Sequence, residues 1–126
     1  MTNLEKTLTN LHGKFVHHAW RHRCAFPNCT RTNLQHAHIL SKGAFPHWRW
    51  EEWNGILLCA FHHDCFDGRI ISEQRIVKEM LRERWPWFFE QADKHKKMEH
   101  GRWRSDQLHK KALEFRRILE TQNNVG

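Results

Sequence analysis

Two spaced pairs of cysteine and histidine constrain this chain more than any other feature. Cys24-Ala-Phe-Pro-Asn-Cys29 sets two thiols on either side of a Pro-Asn turn, and Cys59-Ala-Phe-His62 offers a second pair about thirty residues later. Together they supply the four donors of a closed tetrahedral zinc site, so the fold has to bring residues 24–29 and 59–62 together. Cys65 competes with His62 for the fourth position, since all-cysteine sites are also common, and knuckle spacing puts His62 ahead. The plainer alternative is a set of unrelated buried thiols. A closed site of this kind contributes to folding and leaves no open position for chemistry, so any catalysis must come from other residues.

Zinc would supply what the composition lacks. A chain of 126 residues with 39% hydrophobic content can build one modest core. Its mean hydropathy is −0.85, and no run approaches the ~20 apolar residues of a membrane span, which excludes a membrane-spanning protein. The amino terminus carries no apolar core with a cleavage site, so a cytoplasmic location is expected, where thiols stay reduced. Twenty-one Lys and Arg against fourteen Asp and Glu give +7 and a pI near 9.6. That balance favours a polyanionic partner, nucleic acid first among them.

Four segments follow from the pattern. Residues 1–22 form a basic amphipathic helical segment with Leu4, Leu8, Leu11, Phe15 and Trp20 at helical spacing, interrupted near Gly13. It either lies across DNA or packs with a solvated basic face. Residues 23–71 are short apolar stretches broken by turn residues. Residues 72–121 are helical: Ser72 opens a helix whose apolar face is drawn from Ile76, Met80, Val77 and Leu81, and it stops before Pro86. Trp85, Trp87, Phe88 and Phe89 are expected in the core of a second helical piece running into Lys94, Lys96 and Lys97. Ser105 is expected to cap a last helix whose stripe of Leu108, Ala112, Phe115 and Leu119 packs on its own core or on a second subunit. Residues 122–126 read as a flexible tail.

The chemistry lies between the cysteine pairs. Leu34–Leu40 reads as a strand with His36 and His38 on one face, and a neutral imidazole is suited to take a proton from water near pH 7. His62 and His63 point about 100° apart on a helix, so they serve different sites. Asp67 follows His63 by four residues, which lets the two converge on a divalent cation; the plainer reading is a polar pair on a solvated face. Asn54 either orients the base, helps bind metal, or simply makes a turn with Gly55. The loop from Ser41 to Trp50 mixes cations with aromatics, so Lys42, Arg49 and Trp50 are candidates for nucleic-acid contact. Against that, Trp48, Trp50 and Trp53 can also fill a small core.

The order Cys24-x4-Cys29, His38-Ile39, Asn54 and Leu58-Cys59-x2-His62-His63 resembles the HNH endonucleases, over about residues 20–70. Ala37-His38-Ile39-Leu40-Ser41-Lys42-Gly43, followed by Arg49-Trp50 and Asn54, is similar to the small phage and prophage members in particular. The resemblance implies an α+β fold, mostly α, with a small zinc-stabilised ββα-metal core and flanking N- and C-terminal helices. It implies hydrolysis of DNA phosphodiesters in the cytoplasm of a bacterial or phage-infected cell. His38 would activate water, Asn54 would be the middle residue, and His63 would be the last histidine and a metal ligand. Asp67 falls where many relatives have another metal-binding His or Asn. Ala37 departs from the usual Asp or His ligand, so His36 or water would complete the shell.

The implied cofactors are structural Zn²⁺ and a catalytic Mg²⁺ or Mn²⁺, with Ni²⁺ or Zn²⁺ as alternatives. The implied partner is duplex or branched DNA, with no membrane and a homodimer as one route to double-strand cleavage. The alternatives are a zinc-stabilised DNA-binding module that has lost catalysis, favoured by Ala37, and a protein-interaction domain with a basic surface for acidic partners.

Overall fold

In the computed structural model, which describes residues 1–99 and 103–125, helix α1 (Asn3–Ala19) starts on a reciprocal cap. Thr2 Oγ1 accepts from Glu5 N and Glu5 Oε2 accepts from Thr2 N, each at 3.1 Å, which satisfies two of the free donors of a helix start. The interruption expected at Gly13 does not occur. One internal glycine costs only about 1 kcal/mol, and α1 buries Leu8, His12 and Val16 completely along one stripe. That stripe lies against α5 (Ser105–Val125) and the sheet, so α1 is a packing helix.

Strands β1 (Leu34–Ala37) and β2 (Ile56–Cys59) pair antiparallel, with Leu34 opposite Cys59 and Ala37 opposite Ile56. The expected strand to Leu40 ends three residues early. Its continuation is replaced by the side chain of Asn54, whose Oδ1 accepts from Leu40 N at 2.8 Å and whose Nδ2 donates to Leu40 O at 3.1 Å. Every residue of β2 is buried, because α1 covers one side of the hairpin and α2 (Ala60–Phe66) the other. Helix α2 follows β2 without a loop, and Cys59 Sγ accepts from His62 N at 3.4 Å as its cap. The result is a small ββα-like core inside a mostly helical α+β fold.

Helices α3 (Ile71–Arg84) and α4 (Pro86–Lys96) extend the core beyond α2. Val77 and Leu81 face inward on α3, while Ile76 and Met80 are exposed. The 3.6-residue period fits either pair, and contact with α2 selects the first. On α4 Phe89 is buried and Phe88 partly so, but Trp87 is half exposed, which corrects its assignment to the core. Ser105 is the first residue of α5 rather than its cap; Gln107 Oε1 takes Arg104 N at 2.9 Å. Leu108, Ala112 and Phe115 bury against α1, so the stripe serves the chain's own core. Helix α5 carries on to Val125, past the expected start of the tail at 122, and Gly126 lies outside the described residues. No described helix is long and apolar enough to cross a membrane.

Tryptophans fasten the loops to these elements. Indole N–H groups donate from Trp20 to Gly55 O at 3.0 Å, from Trp85 to Ala25 O at 2.7 Å and from Trp103 to His47 O at 2.7 Å, which lets large apolar rings bury without an orphaned donor. Gly55 is the most closely packed of the described glycines. A Cβ there would sit 2.3 Å from Val16 Cγ2 and 3.3 Å from the His12 ring, and Val16 is β-branched and fully buried. Gly55→Ala is expected to cost about 1–3 kcal/mol, read as a lower denaturant midpoint at unchanged slope. A wild-type midpoint would show that α1 yields at this contact.

Candidate metal centres

The two half-sites meet. Thiol sulfurs of Cys24, Cys29 and Cys59 and a ring nitrogen of His62 lie within 4.8 Å of one another. Cys29 Sγ is 3.9 Å from Cys59 Sγ, and His62 Nδ1 is 3.6 Å from Cys24 Sγ and 3.1 Å from Cys59 Sγ. A tetrahedron with zinc–sulfur bonds of ~2.3 Å has edges of ~3.8 Å, so the donor set fits zinc. The thiols are free, not disulfide-bonded. Asn28, at φ 62°, turns the chain so that both cysteines of the first pair reach inward, and the Phe26 ring stacks on His62 at 3.9 Å.

Burial pushes the Cys24 thiol up to about 12. Burial also acts to raise Cys59, but the His62 N–H, the neighbouring thiols and Arg31 outweigh it and bring the group below its ordinary value. A bound cation would deprotonate coordinating thiols outright. Cys65 is buried nearby but is not among the donor atoms that converge, so the geometry selects His62 as the fourth donor.

On the next face of α2, His63 Nδ1 donates to Gln35 Oε1 at 2.6 Å and His63 Nε2 stands 3.0 Å from Asp67 Oδ2. With Nδ1 committed as a donor, Nε2 meets the carboxylate through a shared proton or a shared cation. The 3.0 Å separation is that of an i,i+4 ion pair and also lies close to the ~2.9 Å between adjacent ligands of an octahedral ion at ~2.0–2.1 Å. Arg69 Nη2 also reaches Asp67 Oδ2, at 3.2 Å, while Arg69 Nε holds Asp64 Oδ1 at 2.7 Å. Gln35 and Arg69 escaped the sequence reading; strand alternation, which puts Gln35 on the same face as Ala37, was the available signal for the first.

His38 lies just beyond β1. Its Nε2 donates to Arg49 O at 3.0 Å, which leaves the lone pair on Nδ1. Burial lowers its pKa, opposed by the Arg49 carbonyl and reinforced by Lys42, the Arg49 guanidinium and His63, so the ring is neutral at pH 7. Asn54 is wholly buried, and besides its two bonds to Leu40 it donates to Trp48 O at 3.0 Å. None of these bonds goes to His38 or His63. Asn54 instead ties the segment after His38 to the segment before Arg49, which makes it a positioning residue rather than a metal ligand.

His36 does not join His63 and Asp67; it faces α1, in a cluster with His38 and His12 whose donor nitrogens lie within 4.8 Å of one another. The ring of His36 meets those of His12 and His38 at 4.6 Å in each case. His12 Nε2 donates to Glu51 O at 2.8 Å. Burial, reinforced by neighbouring imidazoles, lowers His12 to about 3 and His36 to about 2. Reading α1 by its apolar residues alone passed over His12, although it lies four residues from both Leu8 and Val16.

The proposed nucleic-acid residues separate. Lys42 is exposed. Trp50 is 2% exposed and bonds Thr9 Oγ1 at 3.3 Å, so it is a core residue and offers no face for stacking on a base. Arg49 lies over the Trp50 ring at 3.9 Å and 3.6 Å from a Glu5 carboxylate oxygen. Trp53 is buried as well. A groove of about 1220 Å³ beside the cysteine turn is lined by Arg21, Arg23, Arg31 and Arg84 together with Trp20 and Trp85; these arginines lie outside the segment whose composition drew attention. No protein-family model matches the chain, and no curated protein or solved structure matches it significantly.

Proposed function

We propose that this chain is a metal-dependent endonuclease of the HNH type, hydrolysing DNA phosphodiesters. The observation that carries this reading is His38: a neutral imidazole, tautomer set by a backbone carbonyl, in the loop after β1 of a ββα-like unit. Its Nδ1 would take a proton from water, whose oxygen forms the new bond to phosphorus as the bond to the 3′ oxygen breaks. His63 and Asp67 would hold the divalent cation, which stabilises charge on the phosphoryl and leaving oxygens. Gln35 fixes the His63 ring and Asn54 fixes the loop carrying His38. The Cys24, Cys29, Cys59 and His62 cluster ties the hairpin to α2 and keeps both halves in register. Arg21, Arg23, Arg31 and Arg84, with Lys42, would contact the phosphate backbone.

One observation favours a second reading, a DNA-binding module without catalysis. Ala37 is buried in the core and offers no donor where the resemblance expects one. Incubating supercoiled plasmid with purified protein in Mg²⁺, Mn²⁺, Ni²⁺ or Zn²⁺ separates the two. The nuclease converts it first to nicked circles, since one site cuts one strand per engagement, and His63→Ala loses that conversion while keeping its zinc. Salt-sensitive binding with intact plasmid under every metal would establish the second reading instead.

A further inference from the structure

We propose that His12, His36 and His38 form a second metal site, distinct from both the Cys3His cluster and the His63–Asp67 pair, for a late first-row transition ion such as Zn²⁺, Co²⁺ or Ni²⁺. Three imidazoles converge from two separate elements, α1 and the end of β1, on a place that no solvated polar surface explains. His12 is wholly buried, and its Nδ1 has no hydrogen-bond partner; the same is true of buried His36 Nε2. An orphaned buried acceptor costs about 1–3 kcal/mol, and two of them facing a third imidazole call for a common ligand.

For two of the three rings the tautomer is already the one a metal needs. The carbonyls of Glu51 and Arg49 each accept from an Nε2–H, which leaves Nδ1 of His12 and of His38 as lone-pair donors. A second hydrogen bond from the far nitrogen to a carbonyl is the usual way a metal-binding histidine is oriented. Nitrogen donors with no carboxylate favour Zn²⁺, Co²⁺ or Ni²⁺ over Mg²⁺, and three protein ligands leave the fourth position to water or an anion. Lys111, the lysine that acts electrostatically on His12, is paired with Glu51 and Glu52 at 3.6 and 3.9 Å, which offsets its repulsion of a cation. Occupation would also engage the His38 lone pair; that consequence for activity rests on His38 serving as a base, whereas the site itself does not.

Stepwise Co²⁺ titration of metal-free protein refolded with one equivalent tests this directly. The first equivalent goes to the cysteines and shows thiolate-to-cobalt charge transfer. The second is expected to add ligand-field absorption with no further charge-transfer intensity. His12→Gln and His36→Gln should each lose the second equivalent and keep the first, whereas His63→Ala should keep both. A second equivalent that survives His12→Gln but not His63→Ala would assign it to the other pair and overturn the proposal. Binding of one equivalent only in the wild type would do the same, leaving a buried water as the ligand of the three rings. Should a glutamine variant fail to fold, the wild-type titration beside His63→Ala still decides.

Discussion

Withdrawing the metal that the Cys24, Cys29, Cys59 and His62 cluster would hold is expected to unfold the hairpin, α2 and the cysteine turn together, and Cys59→Ser is expected to do the same. The size of the effect follows from what the cluster joins. Cys59 ends β2, caps α2, accepts its His62 N–H and takes part in a four-donor set, all while fully buried. The free energy of a structural zinc site is roughly 10–16 kcal/mol, against a total stability of about 5–15 kcal/mol for an ordinary domain. The apolar core around Ile56, Leu58, Phe66 and Val77 includes Cys24 and Cys59 themselves, so it loosens when the cluster does. Circular dichroism melts with and without a chelator measure it: cooperative unfolding should vanish with chelator and return with added Zn²⁺. Cys65→Ala is the control, since Cys65 is buried but is not among the four converging donors, and should leave metal content at wild-type level for a modest loss of stability. A Cys59→Ser protein that melts with the wild type would remove the cluster from the account of folding.

The cluster was legible because its information is local. Two short ligand spacings name four donors without knowledge of the path between them, and the chain has only to close the loop. The histidine cluster was illegible for the opposite reason. His36 and His38 are visible as a strand alternation, but His12 joins them only through the docking of α1 on the sheet, which no spacing encodes. Trp50 and Arg49 show the same limit from another side: a loop rich in cations and aromatics reads as a groove binder, yet the rings are the core of that loop and Arg49 lies between Trp50 and Glu5. For α3 the period allowed two apolar stripes, and only contact with α2 chose Val77 and Leu81. Asn54 was open to three readings, an orienter of the base, a metal binder or half of an Asn-Gly turn; its actual work, replacing the missing rungs of β1, needs the positions of Leu40 and Trp48.

His38→Ala is expected to lower plasmid cleavage by about 10²–10⁴-fold, the range that a positioned general base contributes, with the fold and the zinc of the cysteine cluster retained. The tolerance follows from where the side chain sits: its one hydrogen bond goes to Arg49 O, a carbonyl that water can satisfy in the variant, and it fills no apolar cluster. The rate loss should appear in single-turnover cleavage and not in DNA affinity, because the arginine groove lies elsewhere on the surface. Asn54→Ala acts on the same ring at one remove. It frees Leu40 and Trp48, and with them the Arg49 carbonyl that sets the His38 tautomer, so it should lower both cleavage and thermal stability, whereas His38→Ala lowers cleavage, and removes a ligand of the three-histidine site, at near wild-type thermal stability. A His38→Ala protein that cleaves at the wild-type rate would move the base elsewhere and leave this imidazole to the three-histidine site.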